Sequence, residues 1–83
     1  MYEVGKCRLR EILKSKRMTQ VKLAELTGIS KQQINNYINR QHIVGVMGLG
    51  TLRTIAEALN LDSPYELYEM KRVARSPEEA ASD

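Results

Sequence analysis

Between Lys31 and Arg40 the polar residues Lys31, Gln32, Gln33, Asn35, Asn36, Asn39 and Arg40 surround a sparse apolar set, Ile34, Tyr37 and Ile38. The apolar positions fall at i, i+3 and i+4, so a helix here turns them to one side and the amides and cations to the other. A Gln or Asn amide carries a donor and an acceptor side by side, which matches the N6 and N7 edge of adenine. Lys and Arg match O6 and N7 of guanine. Asn is a weak helix former, and a face that needs only solubility is better served by Glu and Lys. Three Asn in nine residues therefore point to a base-reading face on this polar side. The alternative is a polar helix surface with no partner.

Other chemistry has little to stand on. There is no Ser-His-Asp set, no phosphate-cradling Gly-x-x-x-x-Gly-Lys and no carboxylate pair in an apolar setting, so no enzyme activity and no cofactor are expected. His42 is the single histidine and has no nearby Cys, which argues against a metal site. Cys7 cannot form an internal disulfide, suits a reducing compartment and reads as a small core residue. The longest weakly polar run, residues 43–50, is far short of the roughly 20 apolar residues a membrane span requires. A soluble cytoplasmic protein is expected.

The elements that position the amide face follow from caps and periodicity. Leu9, Ile12 and Leu13 predict a first helix from about Gly5 to Lys16. Thr19 is an N-cap for a second helix, Gln20 to Thr27, with Leu23, Ala24 and Thr27 inward, and Gly28 allows a sharp turn. Ser30 caps the third helix, Lys31 to Asn39. A loop over residues 40–48 precedes a fourth helix from Leu49 to Leu59, with Leu52, Ile55, Ala56 and Leu59 inward and Asn60 at its end. Ser63-Pro64-Tyr65-Glu66 has capping-box spacing and predicts a short fifth helix to Met70. No run of four residues alternates convincingly with period two. The expected fold is all-α, a compact five-helix bundle with a helix-turn-helix, formed by residues 1–75 and followed by a disordered acidic tail, residues 76–83.

The chain has 83 residues and a net charge of +3, but the charge is unevenly placed. Residues 1–60 hold ten basic and four acidic side chains, net +6; residues 61–83 hold three basic and six acidic, net −3. Lys6, Arg8, Arg10, Lys14, Lys16, Arg17 and Lys22 form a cluster with Glu11 as the single acid among residues 6–22. Such a cluster suits a surface beside the phosphate backbone or, more plainly, a solvated amphipathic helix.

Arg8-Leu9-Arg10-Glu11-Ile12, Met18-Thr19-Gln20, Leu23-Ala24, Gly28-Ile29-Ser30, Ile34 and Leu52…Ile55-Ala56-x-Ala58-Leu59 resemble the Cro and lambda-type repressor (XRE) helix-turn-helix family from about Lys6 to Met70. The resemblance implies a bundle of about five helices and a bacterial or phage transcription regulator. Such a regulator is nucleoid-associated and binds double-stranded operator DNA as a homodimer, most often as a repressor. It places Lys31, Gln32 and Asn36 in the major groove, with Gln33 and Asn35 flanking. Gln20 corresponds to a glutamine that touches a phosphate and braces the recognition helix. Thr19, Arg40 and the start of the fourth helix fall at backbone-contacting positions; Ser30, chiefly a helix cap, and Asn39, on the exposed side of the third helix, are further backbone candidates. Two departures stand out. Arg17 occupies a turn position where the family usually has Gly, which implies either a different turn or left-handed strain there. Leu13 and Ile38 replace an Arg and Glu pair, so both are expected to be buried and in contact.

Tyr65 and Tyr68, at the acidic end, are candidate homodimer contacts. Residues 43–47 are unusually apolar for a loop and suit packing on the bundle, with any exposed remainder a dimer surface or a site for a protein partner that regulates the chain. The competing reading is accordingly an antitoxin or antirepressor acting mainly through protein-protein interaction.

Overall fold

The computed structural model describes residues 1–73. The expected boundary at residue 75 and the acidic tail over 76–83 lie outside the described residues. Among the described residues there are five helices: α1 (Leu9–Ser15), α2 (Gln20–Thr27), α3 (Lys31–Asn39), α4 (Gln41–Val44) and α5 (Leu49–Ala58). A single 3-10 turn follows at Pro64–Leu67. Two strands, β1 (Tyr2–Cys7) and β2 (Tyr68–Arg72), pair antiparallel at one end of the bundle.

The strands correct the all-α expectation. The segment Gly5 to Cys7, expected in the first helix, belongs to β1, and the residues after Leu67, expected in a fifth helix, belong to β2. Tyr2 pairs with Arg72, Glu3 with Lys71 and Val4 with Met70, after which the register shifts so that Cys7 faces Tyr68. Gly5 and Lys6 thus oppose Glu69 alone, a bulge of one extra residue. Glycine eases the close approach there: a Cβ on Gly5 would lie 3.0 Å from the Glu69 Cβ, so that side chain would have to shift. The bulge reverses which side of β1 faces inward, so Tyr2 and Val4 do not alternate with the buried Cys7. That phase break conceals the strand from any period-two reading.

At the other end, Ser63 forms the expected capping box with Glu66. Its helix lasts one turn because Leu67 C=O is taken by the Arg8 N–H at 2.7 Å and Tyr68 enters extended backbone. The expected loop over residues 40–48 also contains α4.

The core gathers Leu9, Ile12 and Leu13 of α1, Leu23 of α2 and Ile34 of α3. Leu52, Ile55 and Ala56 of α5 join them, with Leu59, Met47, Leu67, Cys7 and Tyr68. The inward sets expected for α1 and α5 are all buried. Arg17 adopts φ 54°, so of the two alternatives at this position the turn keeps left-handed backbone in a non-glycine residue. Leu13 is buried, whereas Ile38 is half-buried and packs against the core from its rim. No helix among the described residues is long and apolar enough to cross a membrane.

Candidate nucleic-acid interface

Two hydroxyl caps and one glycine set the angle between α2 and α3. Thr19 Oγ1 accepts the Lys22 N–H and Ser30 Oγ accepts the Gln33 N–H, each at 3.1 Å. Each cap satisfies one of the amides a helix start leaves without a partner. Gly28 ends α2 at φ 76° and donates its N–H to Ala24 C=O at 2.9 Å. Thr27 Oγ1 then donates to Leu23 C=O at 2.8 Å and accepts the Ile29 N–H at 3.1 Å. This fixes a three-residue turn, Gly28 to Ser30, between two helices whose Leu23 and Ile34 are fully buried. The product is a helix-turn-helix.

On α3, Lys31, Gln32 and Gln33 are exposed, and Asn35 and Asn36 are half-exposed. Gln32 Nε2 donates to Asn36 Oδ1 at 3.2 Å, and Gln33 Nε2 donates to the Tyr37 hydroxyl at 3.1 Å. These i, i+4 links hold the amides outward while using only part of their capacity: Gln32 keeps its oxygen and Asn36 its NH₂. The structure therefore gathers the five candidate base-reading residues on the first two turns of one helix.

The candidate backbone contacts are more dispersed. Thr19 and Ser30 are exposed caps at the starts of α2 and α3. Gln20 is half-buried, and its Oε1 is buried with no hydrogen-bond partner among the described residues. Arg40 is exposed, and its C=O accepts the N–H groups of Ile43 and Val44 at 2.9 Å, opening α4. Asn39 accepts a hydrogen bond from the Arg10 guanidinium. That contact moves Arg10 from an undifferentiated basic cluster to the C-terminal end of α3, a placement no local pattern indicates.

The two tyrosines separate. Tyr65 is 61% exposed, whereas Tyr68 is 2% exposed and its hydroxyl accepts the Met47 N–H at 3.0 Å. Strand β2 turns Tyr68 into the core, so its side chain has no surface to give a second copy. Burial pushes the Tyr68 hydroxyl up to about 12. Burial also raises the Cys7 thiol, and the core role expected of Cys7 holds.

In the apolar loop Met47 is buried, while Ile43, Val44 and Val46 remain exposed beside Leu49. Gln41 has a role that sequence reading missed. Its Nε2 donates to Gly5 C=O at 2.8 Å and its Oε1 accepts the Cys7 N–H at 2.7 Å. One amide thus ties the segment after α3 to the outer edge of β1, across more than thirty residues.

A family model for the Cro/C1-type HTH DNA-binding domain matches residues 8–72. Among curated proteins, the chain is 41% identical over 69 residues to the SPbeta prophage-derived uncharacterized HTH-type transcriptional regulator YopS of Bacillus subtilis (strain 168). That alignment covers 83% of this chain and 89% of the relative. No solved structure matches the chain.

Proposed function

The chain belongs to the Cro/C1-type HTH DNA-binding domain family, and from that membership we propose that it regulates transcription by reading operator half-sites in the major groove with α3. The observation that carries this reading is the amide face of α3, with Lys31, Gln32 and Gln33 exposed and the Gln32 and Asn36 amides linked. Lys31, Gln32, Gln33, Asn35 and Asn36 contact base edges. Thr19, Gln20, Ser30, Asn39 and Arg40 contact the phosphate backbone. The protein acts as a homodimer whose two α3 helices enter successive major grooves roughly 34 Å apart. Repression follows from occluding the promoter. The relative's description as a transcriptional regulator supports the same role.

A selected operator duplex and a scrambled duplex, titrated by fluorescence anisotropy, test the assignment. Gln32→Ala and Asn36→Ala each weaken operator binding by about 1–3 kcal/mol and leave scrambled DNA nearly unchanged. Equal weakening on both duplexes would remove these residues from base reading.

A second reading, as an antitoxin or antirepressor working through protein contacts, is favoured by the exposed Ile43, Val44, Val46 and Leu49. An antitoxin of this kind can also bind DNA, so a stable heterocomplex on co-expression, or absence of DNA binding even at about 50 mM salt where phosphate attraction is strong, would favour this reading.

A further inference from the structure

Helix α3 is thinly anchored for the precision that base reading demands. Ile34 is its one fully buried side chain, and Tyr37 and Ile38 pack on the core only from the rim. The turn from Gly28 to Ser30 fixes where α3 starts, which leaves the angle of its last turn to other contacts. A helix of this length pivoting on Ile34 by about 10° shifts its ends by about 1 Å. A reading side chain has to be held within roughly 0.5 Å of its working geometry.

Two polar contacts reach that last turn from outside. The Arg10 guanidinium of α1 donates to Asn39. Gln41 supplies the second and makes it two-pronged: Nε2 donates to Gly5 C=O at 2.8 Å while Oε1 accepts the Cys7 N–H at 2.7 Å. These two backbone groups point outward from β1, so the amide sits where a neighbouring strand would pair. The position of Gln41 passes to α3 without a loose joint. Arg40 N–H closes α3 on Asn36 C=O at 2.8 Å, and Arg40 C=O opens α4 by accepting the Ile43 and Val44 N–H groups at 2.9 Å. Beyond α4, Met47 N–H donates to the Tyr68 hydroxyl at the start of β2. The segment after α3 is thus referenced to both strands, and the strands to each other through their ladder.

We propose that Gln41 is a positioning residue for DNA reading: its paired hydrogen bonds to β1 set the tilt at which α3 presents Lys31, Gln32 and Asn36 to base edges. The proposal rests on base reading by α3 as described above. Gln41 is half-buried, and its amide oxygen and nitrogen are both engaged with β1, so it acts through α3 and not on the nucleic acid. A role confined to stability would lower Tm and leave the folded protein binding as wild type does. A positioning role weakens operator binding by folded protein and largely spares scrambled DNA, whose affinity comes from phosphate contacts.

Fluorescence anisotropy on operator and scrambled duplexes, well below Tm and with circular dichroism to check folding, compares three variants. Gln41→Met keeps the side-chain length and removes both hydrogen bonds. Gln41→Glu keeps an acceptor for the Cys7 N–H and turns a second oxygen on Gly5 C=O. Ser63→Ala opens the capping box between α5 and β2 and lowers stability away from α3. Gln41→Met and Gln41→Glu weaken operator binding about tenfold and scrambled binding by about threefold at most. Ser63→Ala lowers Tm and keeps both affinities. Folded Gln41 variants with the wild-type ratio of operator to scrambled affinity, a Ser63→Ala that loses the ratio equally, or unfolding of both Gln41 variants overturns the proposal. Gln32→Ala and Asn36→Ala on the same duplexes separate the two claims. A ratio that they lower and Gln41→Met does not removes the positioning role alone; a ratio that no substitution lowers removes base reading by α3, and the positioning role with it.

Discussion

Tyr68 joins three parts of the chain that are remote in sequence. Its ring is buried beside Cys7 at the end of β1, its backbone begins β2, and its hydroxyl accepts the Met47 N–H at 3.0 Å. Removing that hydroxyl leaves a buried backbone donor with no acceptor. Tyr68→Phe should therefore cost about 1–3 kcal/mol. For a domain of this size each kcal/mol corresponds to a fall of about 4–8 °C in Tm, which thermal unfolding would register. The same hydroxyl gives a pH dependence of definite sign. Its folded pKa of about 12 lies above the value near 10 of an unfolded tyrosine, so the native state disfavours the phenolate. The contribution is intact below about pH 10 and is lost as pH rises towards 12. Cys7 shifts in the same direction, so the measurement is the difference between wild type and Tyr68→Phe. Unfolding curves that stay parallel from pH 9 to 12 would contradict it. In the sequence Tyr68 reads as an amphipathic interface residue, because nothing local shows that its hydroxyl finds a partner 21 residues away.

At the scale of elements, what could be read in advance was whatever a few adjacent residues decide. The bounds expected for α2 and α3 agree with the structure because Thr19 and Ser30 cap them locally. Gly28 likewise supplies left-handed backbone within its own residue. The strands were not legible. Their pairing joins residues about seventy positions apart, the bulge at Gly5 and Lys6 inverts the side-chain phase, and β2 offers only Tyr68 and Met70 as alternate apolar positions. The candidate base-reading residues were legible as one helix face, whereas Arg10 and Gln41 find their partners only through tertiary contacts. The turn between α2 and α3 makes a further prediction. A Cβ at Gly28 meets nothing within 4 Å, yet φ stands at +76°, so Gly28→Ala is penalised by backbone strain alone, about 1–2 kcal/mol. Gly28→Asn should lose less, since Asn tolerates left-handed backbone better than Ala. Denaturant unfolding should rank wild type above Asn above Ala, and an Ala variant as stable as wild type would show that the turn can relax.

For the whole molecule, the net charge of +3 is the residue of +6 over residues 1–60 and −3 over residues 61–83. The helix-turn-helix lies in the first segment and β2 in the second, so the surface proposed to meet phosphates is separated along the chain from its acidic end. This division should be visible in salt dependence. Each phosphate contact releases condensed counterions, and the slope of log K against log salt changes by about 0.9 per contact on duplex DNA. Arg10 and Arg40 stand at the C-terminal end of α3, Arg10 through its bond to Asn39 and Arg40 as the exposed next residue. In a dimer each substitution removes two contacts. Arg10→Ala and Arg40→Ala should therefore each flatten the slope by about 1.8 and weaken operator and scrambled DNA alike. Gln32→Ala, which removes a neutral amide, should leave the slope unchanged while lowering operator affinity. Titrations from about 50 to 200 mM salt separate the two behaviours. A slope unaffected by Arg10→Ala would return Arg10 to a role internal to the fold, holding Asn39 and the end of α3.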